Sequence, residues 1–596
     1  MANEENVAAD ERIIPTPGVY DYTSFEVLIN GNRVNNPAYN LRSAVIVKEV
    51  NQIPYARLQY LDGDVSDEKF AVSESADFIP GNKIELKTGR DGKQTTVFKG
   101  VIVKHAIRAA ENGNASLHLD CRDEAVSLTL GRKNRYFREI TDSDALQQVL
   151  GAKAGTLAAT SVQHKELVQY YCTDWDFALS RAEMNSCVLM AHDGKVDIVR
   201  PELAGIPALT LVYGATIEEF EAEMDARTQW QEVNASAWNY KDQSVTENAT
   251  ASVRFQEAGN LSGAELAKVV SPEKLELRHS GLVSEPELKA WTESVMLKSR
   301  MAKIRGRVKI KGSPAAIPGD TVELKGLGNR FNGLVYVSGV RHEYADGIWS
   351  TQMQFGISPE WFHHKTELIE TPAAGMMPAI HGLQIGVVVQ LENDPDGEDR
   401  IQVKMPLTDN NDKGTWARVA SLDAGNDRGY FFRPELGDEV IVGFVNDDPR
   451  FAIVLGMLHS SKNPAPVPAK DTNHIKGLVT RSKMKTMFDD ENKVMKMETP
   501  AGNFIELNEK DKAITIQDQH GNMIKMEAAG ITIKSAKDIK MEAAQAFSLT
   551  AGTDIRIAGM TISAKADTTL EMNGQAKAKV ASSAMLELQG GMVKIN

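Results

Sequence analysis

Alternation of apolar and polar residues dominates the first part of the chain. YTSFEVLINGNRV (22–34), SAVIVKEV (43–50), NKIELKTG (82–89), TTVFKGVIVKHAI (95–107) and ASLHLDCRD (115–123) predict half-buried strands. Asn30-Gly31 is a two-residue hairpin signal. Two segments switch to a helical period. In TDWDFALSRAEM (173–184), Asp174 is expected to cap a helix with Trp175, Ala178, Leu179 and Ala182 on one face. In SEPELKAWTESVMLKSRM (284–301), Ser284 and Glu287 predict a capping box, and Leu288, Trp291 and Val295 form the stripe. Both stripes read as core.

A Pro/Ala/Gly break, ETPAAGMMPAIHG (370–382), precedes a denser β pattern. IGVVVQL, RIQVKMP, TWARVAS, GYFFRP, DEVIVGFV and FAIVLGML are five or six short strands separated by Asp/Asn/Gly turns, the pattern of a small closed barrel such as an OB-fold. A second break, KNPAPVPAKD (462–471), marks its end.

Beyond it, apolar residues come in pairs spaced about eight apart. The pairs run Ile505/Leu507, Ile514/Ile516, Ile524/Met526, Ile531/Ile533, Ile539/Met541, Phe547/Leu549 and Ile555/Ile557, then, after a slip of about one residue, Ile562/Ala564, Leu570/Met572, Ala578/Val580, Leu586/Leu588 and Val593/Ile595. Residues i and i+2 of a strand share a face, so each pair points one way. Eight residues supply one face and one corner, too little for a coil made by one chain. Three chains giving one face each would close a triangular prism, so the expectation is an intertwined trimeric β-helix needle. Its core would hold Ile531, Ile533, Ile539, Met541, Phe547, Leu549, Ile555, Ile557, Leu570, Met572, Leu586 and Leu588.

Composition narrows the classes. At 596 residues, several domains are expected. A formal net charge of −14 disfavours sequence-independent nucleic-acid binding. From Ala501 onward basic and acidic residues balance, eleven each, so three copies of this region can wind together without net repulsion. No apolar run is long enough to span a bilayer, and MANEENVAADERIIPTPG lacks the apolar stretch of a secretory signal, so cytoplasmic synthesis is expected. Cys121, Cys172 and Cys187 sit at unrelated spacings and read as buried free thiols.

YYCTDWDFALSRAEMN (170–185), IPGDTVELKGLGNRFNGLVYVSGVRHEY (317–344), the barrel run from DRIQVKMP through FFRPELGDEVIVGFVNDDPRFAIVLGML, and ETPAGNFIELNEKDKAITIQDQHGNMIKM occur in that order. Together they resemble the VgrG spike family of type VI secretion systems, extracellular contractile injection systems and contractile phage tails. The resemblance implies an N-terminal extension (1–19), a tail-hub-like module of β-barrels with inserted helices (20–375), an OB-fold collar (382–460), a linker and needle entry (461–500) and the needle (501–596). It implies a homotrimer that caps a hexameric Hcp-like tube within a baseplate, carries effector cargo, punctures the target cell membrane and leaves the producing cell with the injection particle. A PAAR-repeat tip protein would dock on Met592, Val593, Lys594, Ile595 and Asn596. The chain ends at GGMVKIN, so no effector domain is expected after the needle.

Catalytic chemistry is not signalled. There is no HExxH motif or P-loop, and no cofactor, metal or catalytic residue is expected. NDPDGEDR (393–400) and DNNDKG (409–414) depart from calcium-loop spacing and read as hairpin turns. His363 and His364, if in a strand, would face opposite ways. The alternative function is a tail-associated glycan or peptidoglycan hydrolase on a β-helical scaffold. Acidic residues fall about once per octad, interleaved with lysine, rather than in facing pairs.

Overall fold

The computed structural model describes residues 23–90, 92–110, 115–203, 205–250, 253, 255–270, 274–364, 371–407 and 413–595. The expected extension 1–19, part of the DNNDKG turn and Asn596 lie outside them. The chain divides into two compact units, residues 1–382 with 444–451, and residues 383–443 with 452–596.

The first unit is built on a 13-stranded sheet. Asn30 and Gly31 take the positive φ angles (50° and 86°) of a two-residue turn that pairs Ile29 with Asn32, as the sequence predicts. The alternating runs above form Thr23–Ile29, Asn40–Glu49, Lys83–Arg90, Lys93–Ala109 and Ala115–Arg122. Their inward residues, among them Ile46, Leu86, Phe98 and Leu117, pack with Phe78 in one core. The strands Ile304–Lys311, Gly333–Ala345 and Ile348–Phe355 enclose a second core around Val308, Val337, Met353 and Phe355.

The two predicted helices pack on smaller sheets, the first against Val188–His192 and Lys195–Val199 and the second against Glu232–Asn239. Asp174–Met184 buries Trp175, Ala178, Leu179 and Ala182, as expected. Its cap, however, is Thr173, whose hydroxyl accepts a hydrogen bond from the Asp176 amide at 3.1 Å. Asp174 is the first helical residue, and its buried carboxylate accepts from Lys133 (2.5 Å) and Arg135 (3.1 Å). Glu285–Met301 buries Leu288 and Val295, with Trp291 half-buried. Ser284 stands at its N-cap but makes no side-chain capping bond, so the predicted box does not form.

In the second unit, Gln384–Gln390, Ile401–Lys404, Thr415–Val419, Ala452–Met457 and Glu439–Phe444 close a five-stranded barrel in that order. Thr415–Val419 and Ala452–Met457 pair in parallel. Val388, Ile401, Val403, Ala417, Val440, Val442 and Val454 fill the interior. Gly386 is required there, because a Cβ would come within 2.3 Å of the Val403 side chain. GYFFRP is not a sixth strand. Only Gly429 takes part in a short hairpin, and Tyr430–Pro434 run as a loop, exposed from Tyr430 to Arg433 with Pro434 buried, because closing the barrel leaves no strand edge for them.

Candidate functional site

Seven strands follow the barrel: Ile475–Val479, Lys485–Asp489, Val494–Glu498, Phe504–Asn508, Ala513–Gln517, Met523–Glu527 and Gly530–Lys534. They pair antiparallel in chain order as a meander. The turns are set by Asx chemistry. The Asp489 carboxylate accepts from the amides of Glu491 and Asn492, and that of Asp518 accepts from His520 and Asn522 beside Gly521 at φ 85°.

The register aligns the apolar pairs. Met495 lies opposite Leu507, Met497 opposite Ile505, Ile505 opposite Ile516, and Leu507 opposite Ile514. Ile514 then faces Met526, Ile516 faces Ile524, Ile524 faces Ile533 and Met526 faces Ile531. Phe488 extends the row beyond Met495. One sheet face is therefore an apolar ladder two residues wide. The other face is mainly polar, with Lys485 and Lys496 paired to Glu498 (2.8 and 2.7 Å) and Lys525 to Glu527 (2.6 Å), and with Met487, Val494, Phe504 and Met523 interspersed. Hydrogen bonds from Lys485 and Lys496 hold the Glu498 carboxyl down to about 2.

Burial along these strands is inside out. In Phe504–Asn508 the exposed residues are Ile505 and Leu507, while Glu506 and Asn508 are half-buried by their polar neighbours. The same inversion holds in Ala513–Gln517, where Ile514 and Ile516 are exposed. A sheet with one open apolar face stays stable only when something covers it.

Of the residues predicted to form a needle core, Ile531 and Ile533 sit on the last meander strand. They and the pairs from Ile505 to Met526 thus lie in antiparallel hairpins, not in octad coils. The cause is turn chemistry, since TPAGN, EKDK, DQHGN and AAG reverse the chain between these pairs. Beyond Lys534 no residue among those described is in a paired strand. Ile539, Met541, Phe547, Leu549, Ile555, Ile557, Leu570, Met572, Leu586 and Leu588 are all exposed, as are Met592, Val593, Lys594 and Ile595. Sequence reasoning missed Phe488, Met495 and Met497 as part of the same ladder. Their alternation in KTMFD and VMKME was the available signal.

Polar clusters elsewhere are internally satisfied. In NDPDGEDR, the Asp394 carboxylate accepts from the Arg400 guanidinium and from the amides of Asp396, Glu398 and Arg400, which hold its pKa well below the carboxylate range. His363 and His364 lie in a 3₁₀ turn rather than a strand, with rings edge to face at 4.4 Å. Asp142 is buried among Arg181 (2.6 Å), His164 (2.9 Å) and Asn185 (3.0 Å). Among the described residues, no group of three or more His, Cys, Asp or Glu could hold a metal ion. Cys121 and Cys187 are buried free thiols, while Cys172 is only half-buried. Among the described residues, no helix is long and apolar enough to cross a membrane.

Residues 20–346, more than half of the chain, match the family described as Alg8 N-terminal domain. The chain belongs to this family. Residues 384–459 match the type VI secretion system/phage-baseplate injector OB domain, coincident with the barrel. Residues 494–548 match the phage baseplate V C-terminal trimerisation domain, which begins at the third meander strand. The family's N-terminal module is thus followed by the parts of a VgrG-like spike. Two curated relatives are from Vibrio cholerae serotype O1. The spike protein VgrG3 is 34% identical over 105 residues, 16% of this chain and 10% of the relative. The actin cross-linking toxin VgrG1 is 27% identical over 134 residues, 21% of this chain and 12% of the relative. The chain therefore spans about a tenth of the length of the curated relatives it matches. A 43 kDa tail protein of prophage MuSo2 from Shewanella oneidensis aligns over 56% of this chain and 98% of its own, at 10% identity and a TM-score of 0.44.

Proposed function

We propose that this chain is one of three identical subunits of a contractile-injection spike, with a structural rather than catalytic role. The observation that carries this is the apolar ladder, left open by one chain and continued by exposed apolar pairs to Ile595. Three copies would turn their ladders to a common axis, and residues beyond Lys534 would gain strand partners from the other chains. The match of residues 494–548 to a trimerisation domain supports this reading.

In this reading residues 20–375 form the hub and 382–460 the collar. Residues 461–500 lead into a needle that occupies 501–596. The hub caps a hexameric tube of the Hcp type within the baseplate, and the needle is driven into the target membrane with effectors aboard. In this reading a PAAR-type tip protein docks on Met592, Val593, Lys594 and Ile595 of the three chains. The particle is assembled in the bacterial cytoplasm, and the spike leaves with it.

Sedimentation of the full chain tests the reading. A trimer that persists at low micromolar concentration and resists SDS without heating is expected. A monomer under those conditions overturns it.

A further inference from the structure

A serine and a histidine of the first unit are joined in a way that a structural role does not call for. The Ser73 hydroxyl lies 2.7 Å from His105 Nε2, and His105 Nδ1 lies 2.9 Å from the Phe78 carbonyl. A carbonyl oxygen only accepts, so in the neutral imidazole Nδ1 carries the proton and Nε2 the lone pair. The Ser73 hydroxyl therefore donates to Nε2. A hydroxyl, a base within hydrogen-bond reach and a third group that orients the base make an activated nucleophile. Three elements hold the pair in place. His105 stands on the strand Lys93–Ala109, and the Phe78 side chain is fully buried in the core. The buried Asp62 carboxylate accepts from the Val72 amide at 3.0 Å and the Ser73 amide at 2.8 Å. Ser73 and His105 are themselves half-buried, open to solvent on one side.

The backbone around the pair limits what it can do. Amides next to a nucleophile often form the oxyanion hole that stabilises a tetrahedral intermediate. Here the Ser73 amide is bound to Asp62, and the Glu74 amide donates to the Phe70 carbonyl at 2.8 Å. The nucleophile is activated, but the donors that would drive rapid turnover are occupied. The surroundings favour an uncharged, apolar acyl group. Ile107, which shares a strand face with His105, is 50% exposed, and Ile79, next to Phe78, is 53% exposed.

We propose that Ser73 is an acyl-acceptor site, taking one small apolar acyl group per chain from an aryl ester or thioester, with His105 as its general base. Ser73 Oγ attacks the acyl carbon, and the new C–O bond forms as the bond to the leaving aryl oxide or thiolate breaks. The hydroxyl proton passes to His105 Nε2 and then to the leaving group, so the imidazole ends neutral. With both neighbouring amides occupied, the acyl-serine hydrolyses slowly and accumulates. The site is independent of the trimeric reading above.

Treatment of the full chain with p-nitrophenyl acetate, followed by digestion and mass spectrometry, tests it. General-base assistance contributes ~10²–10⁴-fold at enzyme sites, so Ser73 should acetylate at least about tenfold faster than Ser66, an exposed serine of the same loop. His105→Gln should bring Ser73 down to the Ser66 rate, and denaturant should do the same in the wild-type chain. Equal rates at Ser73 and Ser66 in the folded wild-type chain overturn the proposal, as does a preference for Ser73 that survives denaturant. An unchanged Ser73 rate in a folded His105→Gln chain overturns the role of His105. If His105→Gln does not fold, the wild-type comparison with and without denaturant decides by itself. Sustained p-nitrophenol release that Ser73→Ala abolishes overturns the limit of one acyl group per chain.

Discussion

Ile516 and Thr515 are neighbours on one meander strand that face opposite ways. Ile516 lies between Ile505 and Ile524 on the apolar ladder, while Thr515 lies between Glu506 and Lys525 on the polar face. Lysine at each position adds the same charge to the same strand. In the single chain Ile516 is already 42% exposed, so Ile516→Lys should disturb the isolated fold little. At Thr515 the new lysine meets one acid and one base, so the effect there should stay within about 0.5 kcal/mol.

In the trimer the two diverge. Full burial of isoleucine is worth ~1.5–3 kcal/mol, so covering the remaining 42% contributes about 0.6–1.3 kcal/mol per chain. Burying an unpartnered polar group adds ~1–3 kcal/mol per chain, and more where the charge persists. Over three chains Ile516→Lys should weaken the trimer by on the order of 5–10 kcal/mol; the midpoint concentration of a trimer scales as the square root of its dissociation constant, so at about 1.4 kcal/mol per decade in that constant the midpoint should rise by roughly two to four decades. Sedimentation velocity or mass photometry across a dilution series reads this directly. Trimers of the two variants that dissociate at the same concentration would refute the assignment of faces.

Three further outcomes follow from other parts of the molecule. In the region beyond Lys534, Ile539→Asp should abolish SDS resistance while Lys540→Asp keeps it; equal loss in both would reject the octad register. Thr173→Ala should lower hub stability by ~1 kcal/mol through loss of the helix cap, whereas Ser284→Ala, which removes no capping bond, should change the denaturation midpoint by much less. His342 is buried, with Nδ1 2.9 Å from the Thr351 hydroxyl; burial, and secondarily Lys48, hold its pKa down to about 3. The unfolded chain then binds the extra proton as pH falls from about 6.5, so stability is full above that value and declines toward pH 3 by up to ~1.4 kcal/mol per unit. Calorimetry at pH 7, 5.5 and 4.5 should show this slope, and His342→Gln should flatten it.

What the sequence made legible follows from where each element finds its partner. The strands of the first unit announced themselves because their partners are cores within the same chain, so alternation and burial agree. Asp174 misled because Thr173 and Asp174 are both good caps, and the choice depends on Lys133 and Arg135, about forty residues earlier. GYFFRP has the composition of a strand, but the pairing of Thr415–Val419 with Ala452–Met457 leaves no edge for it. That is a property of the closed barrel and not of the six residues.

The C-terminal pairs present the harder case. Ile505/Leu507 and Ile555/Ile557 share one local pattern, yet only the first is paired within the chain. The difference lies in the intervening residues: Asp, Asn and Gly turns return the chain on itself before Lys534, while AAQA and TAGT afterwards do not. Before Lys534 a single chain can pair its strands and leave only its apolar face open; after it, no described residue is in a paired strand and the apolar pairs are exposed. The two parts should therefore respond differently to dilution. A destabilised trimer should lose protection from amide hydrogen exchange first at residues 535–595, while the meander ladder, hydrogen-bonded within each chain, should keep its protection until the subunits unfold. Simultaneous loss of protection in both parts would mean that the meander, too, depends on its neighbours for its backbone pairing.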